Sequence, residues 1–190
     1  MPSDPLNPGG LTHTSAESPS ARSLIAALNM VPHVEGGYFV ETDRSKDKIP
    51  NPYATEATAS RDPTRNISTL IYYLLTQHTP IGRFHRNKSR TIHLLHKGRA
   101  TYVLIHPDGS VETFVVGQNV ENGEKLQWIV EGGDYKASFV RPEDGECLIS
   151  EVVIPGFEYT DHDFMDSREE LVTLVGEDTA KEWEWLLRKH

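Results

Sequence analysis

The chain has 190 residues, of which 37% are hydrophobic and 25% charged, and a net charge of −9 at pH 7. That length suits one domain with a substantial core rather than two. The acidic balance argues against a general nucleic-acid binder, which draws on clustered Lys and Arg.

Cys147 is the lone cysteine and stands in the apolar run Cys-Leu-Ile, so it reads as a buried small hydrophobe, and no disulfide can form within one chain. No apolar stretch approaches the roughly 18 residues of a membrane span, and no basic-then-apolar leader opens the chain. A cytoplasmic protein is expected. Residues 1–20 are rich in Pro, Ser, Gly and Thr, with only Leu6 and Leu11 to bury, and are expected to be a disordered tail. Residues 21–190 are expected to form a single domain. It opens with a short helix over Ala21–Met30, whose Leu24, Ile25 and Leu28 share one face, and Pro32 stops that helix.

From Gly37 to Pro155 the signals are strands and turns. Tyr38–Thr42 is followed by a polar loop over Asp43–Asn66 containing three prolines, then by β-rich Ile67–Thr76. Thr91–Leu95, Ala100–His106 and Val111–Val116 follow, the last two joined by the Asp108-Gly109 hairpin turn. Leu126–Val130, Tyr135–Val140 and Leu148–Ile154 complete the series. Short strands at this spacing without intervening helices indicate a sandwich or barrel. Two short helices are expected over residues 167–189, each opened by a capping box, Ser167-x-x-Glu170 and Thr179-x-x-Glu182, with Gly176 between them as a C-cap.

The segment Gly82–Gly98 carries His85, Asn87, Thr91 and Gly98 at the spacing of the first cupin motif, His-x-His-x3-Glu-x6-Gly. Pro32-His33-Val-Glu35-Gly36-Gly37-Tyr38-Phe39 with Glu41-Thr42 and Arg44-Ser45, Ile67-Ser68-Thr69 with Ile71-Tyr72, Phe84-His85-Arg86, Pro107-Asp108-Gly109 and Pro155-Gly156-Phe157 add further blocks in order. With these, the chain resembles the cupin subfamily catalogued as a domain of unknown function, over about Leu24 to Val175. The resemblance implies an all-β jelly-roll barrel with a concave pocket, flanked here by one N-terminal and two C-terminal helices. It also implies a homodimer, in keeping with edge strands that need cover.

Cupin metal sites take two histidines and a glutamate from the first motif and a histidine from the second. Laid on this chain, those positions are His85, Asn87, Thr91 and Lys136, and the chain resembles a divergent branch without the usual ligands. An amide, a hydroxyl and a lysine replace imidazole and carboxylate poorly, so no metal and no cofactor is expected. A different site from His85 and His93 with Glu41 stays open. His93 and His96, an odd number of residues apart, cannot share a strand face.

What remains is a polar set in an apolar barrel. His85, whose ordinary pKa lies near neutrality, Lys136 and Tyr73 are the candidate catalytic groups for proton transfer. Arg83, on the strand face of His85 by parity, is a candidate substrate contact, together with Glu41, Glu151, Thr91 and His93. Glu35-Gly36-Gly37 reads as a tight backbone crossing at the barrel mouth, Asp161-His162-Asp163 as a solvated loop, and the basic run Arg86–Arg90 as a charged turn.

The expected ligand is a small hydroxylated or anionic molecule, with no nucleic-acid or membrane partner. By analogy with metal-free sugar epimerases on the same barrel, the first expectation is a metal-independent sugar or sugar-nucleotide isomerase or epimerase. The alternatives are a non-catalytic small-molecule binder and, third, a metal-dependent oxygenase or lyase.

Overall fold

The structure is a computed structural model that describes residues 11, 14–56 and 61–188. Its first helix, α1 (Pro19–Leu28), starts earlier than the hydrophobic spacing alone predicts, because Ser18 accepts a hydrogen bond from the Ala21 amide and Pro19 occupies the first turn. Most of the expected tail lies outside the described residues, but 14–20 are held: Glu17 Oε1 accepts from the Tyr38 and Thr76 hydroxyls, each at 2.9 Å.

Two antiparallel sheets face each other. One has six strands in the order β1 (Val31–Pro32), β2 (Tyr38–Arg44), β5 (Thr69–Thr76), β12 (Glu146–Ile154), β7 (Arg90–Gly98) and β10 (Gln127–Val130). The other has five, in the order β13 (His162–Phe164), β6 (Ile81–Asn87), β11 (Tyr135–Phe139), β8 (Ala100–Ile105) and β9 (Val111–Val116). The Asp43–Asn66 segment, expected as loop, contributes a separate two-stranded ribbon of β3 (Lys48–Pro50) and β4 (Thr64–Asn66). No helix among the described residues is long and apolar enough to cross a membrane.

The strand period of two sorts side chains into three cores. Inward residues from both sheets, including Tyr102, Leu104, Trp128, Val130, Cys147 and Ile149, fill the barrel. Burial pushes the Cys147 thiol up to about 12, which leaves it an inert hydrophobe. The outer face of the six-stranded sheet, with Leu74 and Leu148, packs under Leu24, Ile25 and Leu28 of α1. The outer face of the other sheet, with Phe84, Val103, Ile105 and Phe139, packs under α2 (Arg168–Val175) and α3 (Glu177–Trp183) through Leu171, Ala180 and Trp183, and under Leu186 in the turn that follows.

Ser167 caps α2 as expected, accepting from the Glu170 amide at 3.0 Å. The second capping box does not form. Thr179 lies inside α3, which starts directly after Gly176, because that glycine at φ +83° ends one helix and begins the next.

Two backbone devices shape the barrel mouth. Gly36 and Gly37 have φ of +108° and +68°, and a Cβ on Gly36 would lie 2.0 Å from the Ile81 carbonyl oxygen. The crossing is therefore real, and it is pinned by the Arg83 amide donating to the Glu35 carbonyl at 2.8 Å. The second device is a β-bulge. His85 pairs with Lys136 and Gly82 with Ser138, so three steps on β6 (85 − 82) match two on β11 (138 − 136).

Replacing Gly36 by alanine combines positive-φ strain with a backbone clash. It is expected to cost about 3 kcal/mol in urea-unfolding stability, against under about 1 kcal/mol for alanine at Gly123, where a Cβ meets nothing within 4 Å.

Candidate functional site

The inward faces of β6, β7, β11 and β12 bring four of the expected residues together. Cross-strand pairing sets Lys136 opposite His85 and Glu151 opposite His93. The Lys136 ammonium donates to Glu151 Oε2 at 2.7 Å and to His93 Nε2 at 2.9 Å, which places the His93 ring proton on Nδ1. All three side chains are buried, and the His93 ring stacks on Trp128 with centroids 5.0 Å apart. Burial alone would raise the Glu151 carboxyl, but Lys136 and His93 outweigh it and hold the group well below the ordinary carboxylate range. Burial and the neighbouring ammonium push the His93 imidazole down.

A second cluster, missed by sequence reasoning, centres on Glu35. The crossing turns this carboxylate into the barrel, where His85 Nε2 lies 3.1 Å and His162 Nε2 2.8 Å from its Oε1, and His33 Nδ1 lies 3.5 Å from its Oε2. The rings of His85 and His162 are stacked, with centroids 5.0 Å apart. Burial would raise the Glu35 carboxyl, yet the imidazoles of His85, His33 and His162 lower it to about 2. Burial takes the His85 imidazole down to about 3, against the opposing pull of Glu35.

His162 corrects the solvated-loop expectation. It is on β13, paired with the edge of β6, and Asp161 beside it forms a buried ion pair with Arg65 at 3.0 Å. Only Asp163 of that trio is exposed, 3.5 Å from Arg86. The alternation Asp-His-Asp-Phe, which puts His162 and Phe164 on one strand face, was the available signal.

The remaining expectations separate. Arg83 does not share the His85 face, because the bulge between them breaks strand parity; its guanidinium donates to the Trp185 and Leu187 carbonyls in the C-terminal segment. Tyr73 is buried and donates its hydroxyl to the Gly36 carbonyl at 2.9 Å, which fastens the crossing instead of facing a ligand. Thr91 is buried beside His85, Asn87 and Lys136 around a space of about 10 Å³. Glu41 is at the rim, where both its oxygens take hydrogen bonds from Arg44, itself paired to Glu158 at 2.9 Å. It therefore stands apart from His85 and His93 and builds no site with them. His96 lies on the outer face against Tyr72 and Ser150, as the odd spacing from His93 requires.

Between rim and floor is a cavity of about 240 Å³. Phe39, Ile71, Val153, Phe157 and Tyr159 form its apolar wall, and Glu35, Glu151, His33, Thr69 and Asn87 its polar lining.

The four positions that would hold a cupin metal do not fit one. Lys136 brings its own positive charge, already matched by Glu151, and Asn87 and Thr91 offer only an amide and a hydroxyl.

Sheets, barrel and motif positions together define a cupin, and the chain belongs to that superfamily: the family described as Cupin superfamily (DUF985) matches residues 22–165. The chain is 48% identical to the uncharacterized protein YML079W of Saccharomyces cerevisiae, over 90% of this chain and 88% of that one. It is similar in structure to a hypothetical protein from Leishmania major (TM-score 0.77, 28% identity, 89% of this chain and 99% of that one). Protein SO0799 from Shewanella oneidensis is close behind (TM-score 0.73, 27% identity, 90% and 98%).

Because Lys136 and Glu151 neutralise each other while both are buried, removing one partner alone is expected to be costly. Lys136→Met should lower stability by about 3–5 kcal/mol, while the double replacement Lys136→Met/Glu151→Leu recovers most of that loss; urea titration of the three proteins checks it.

The same pair sets an acid limit. Glu151 is depressed when folded, so its contribution is full above the unfolded value near 4.5 and is lost as pH falls. His93 stays neutral when folded while the unfolded chain takes up a proton below about 6.5. Both make the unfolded state bind more protons, so unfolding free energy should fall steadily on acidification below about pH 6.5. The double variant, which has lost the Glu151 carboxyl, should fall less steeply below pH 4.5.

Proposed function

We propose that this cupin binds a small, neutral, hydroxylated molecule with one apolar face in the barrel cavity, and that holding the molecule, rather than moving its protons, is the function. The observation that carries this reading is the cavity's construction: an aromatic and aliphatic wall over a lining that contains two ionised carboxylates, Glu35 and Glu151. An ionised carboxylate only accepts hydrogen bonds, so it suits hydroxyl donors and repels an anion. The guanidinium on the lining, Arg44, is already shared between Glu41 and Glu158. The volume lies below the roughly 300–1,000 Å³ of sites for drug-sized ligands, which suits a single ring and excludes a sugar nucleotide.

Proton transfer, as in an isomerase or epimerase, is the second reading, supported by the imidazoles of His33 and His85 against Glu35. Several features weigh against it. A carboxylate lowered to about 2 is a weak base at neutral pH. Lys136 is committed to Glu151 and Tyr73 to Gly36.

Thermal-shift screening of neutral polyols and monosaccharides beside their carboxylate and phosphate counterparts tests the choice. At a neutral ligand concentration of about 100 times Kd the melting point should rise by roughly 5–10 °C. The charged counterparts should give no rise, and Ile71→Trp, which fills the cavity, should abolish the shift while leaving the fold intact by circular dichroism. Solvent deuterium should not enter the bound molecule. A shift only with anions would sink the proposal, and exchange of deuterium would replace it with the isomerase reading.

A further inference from the structure

Beside Glu35 two acceptors face each other, with no donor from the described residues between them. His85 Nδ1 lies 2.7 Å from the Arg83 carbonyl oxygen. A carbonyl only accepts, so Nδ1 carries the ring proton, and Nε2 of the neutral imidazole presents a lone pair. That Nε2 is buried and makes no hydrogen bond among the described residues, although Glu35 Oε1 is 3.1 Å away. Oε1 is an acceptor as well. Two lone pairs opposed at that distance repel unless a positive centre is placed between them.

The surroundings are built for such a centre. One ring nitrogen of His85, one of His162 and a Glu35 carboxylate oxygen all lie within 4.8 Å of one another. Two ligands at right angles on an ion with bonds of about 2.1 Å are about 3 Å apart, and the separations from Glu35 Oε1 to the two imidazoles are 3.1 and 2.8 Å; the shorter one is a hydrogen bond from His162 Nε2, whose proton the ion would displace. Each ligand is fixed from behind. Glu35 is held by the glycine crossing, His85 by pairing with Lys136 and by the Arg83 carbonyl, and His162 by pairing with Asn87 next to the Asp161–Arg65 ion pair. A backbone carbonyl on the second nitrogen of a histidine is the orienting contact that metal-binding imidazoles commonly use. Electrostatics agree, since Glu35, Glu151 and Lys136 together leave one negative charge inside the barrel, and Lys136 is matched by Glu151 at 2.7 Å.

We propose that His85, His162 and Glu35 form a binding site for one divalent first-row transition-metal ion, displaced from the usual cupin position and sharing only His85 with it. Two imidazoles and one carboxylate select zinc, iron(II), cobalt(II), nickel(II) or manganese(II) over the harder magnesium and calcium. Glu35 also lines the cavity, so an ion held there would adjoin the bound molecule through that residue. The site stands on its own geometry: with the ligand screen run on chelator-stripped protein, loss of metal binding would leave the hydroxyl-ligand reading intact, and the two fail separately.

The experiment uses the full chain, stripped with chelator and titrated with each of the five metals alone by calorimetry, with elemental analysis after gel filtration. One equivalent per chain is expected for at least one metal, with a higher melting point and, for cobalt(II), a visible absorption band. Glu35→Gln and His162→Ala should each weaken binding by about 100-fold or more, whereas His96→Ala on the outer face should leave it unchanged. Circular dichroism confirms that each variant is folded, and His162→Gln serves if His162→Ala is not. Less than about a tenth of an equivalent with all five metals would overturn the proposal, as would equal affinity in Glu35→Gln/His162→Gln. So would nitrogen-15 shifts showing a protonated His85 Nε2 in the metal-treated protein, because a proton would then be the bridging charge.

Discussion

A carboxylate enclosed in an apolar barrel has to be matched by positive charge or hydrogen-bond donors, since leaving one unpaired costs several kcal/mol. This barrel encloses two, Glu35 and Glu151, and most of its inward polar chemistry answers them. Lys136 answers Glu151 directly, with His93 as a second acceptor for the same ammonium. Three imidazoles surround Glu35, and among the described residues no lysine or arginine is paired with it. The asymmetry is the informative part: one carboxylate has its counter-charge built in, and the other has ligands where a counter-charge would be.

Backbone devices place these groups, and each is local. The left-handed conformation at Gly36 and Gly37 lets the chain pass close enough to Ile81 for Glu35 to enter the barrel. The bulge in β6 turns Arg83 out toward the C-terminal segment while His85 stays inward opposite Lys136. Strand β13 returns along the edge of β6 and adds His162 over His85. Without any one of the three, the Glu35 cluster loses a member, although the sheets and their cores could still form.

The barrel was largely legible in the sequence because its signals are periodic: alternating apolar residues in Tyr135–Val140 and Leu148–Ile154, and Asp-Gly at a hairpin. The Lys136, His93 and Glu151 group was also within reach, since each lies on the inward parity of its own strand. Arg83 was misplaced because parity is reliable only along an unbroken ladder, and a bulge leaves no mark in composition. Tyr73 was assigned to chemistry because sequence shows a phenol but not the carbonyl that will take its proton. Glu35 and His162 were overlooked for a shared reason: both lie in polar, turn-like segments, and only pairing with residues 50 to 127 positions away buries them. Polarity reports exposure on average; it does not report which polar segments are folded inward.

The altered motif positions are best understood as one coupled change. Place an ammonium at 136, and a divalent ion bound beside it at 85, 87 and 91 would face repulsion at close range. Neutral Asn87 and Thr91 are then compatible with Lys136, whereas a glutamate at 91 would compete with Glu151 for the same lysine. His85 is less constrained, because its Nδ1 is held on the Arg83 carbonyl and its Nε2 faces Glu35, whose negative charge offsets the nearby ammonium. It therefore keeps the chemistry of a ligand after its motif partners have lost theirs. What looks in the sequence like a metal site with three members missing is, in the folded chain, one internal salt bridge beside a different set of ligands, joined only through His85.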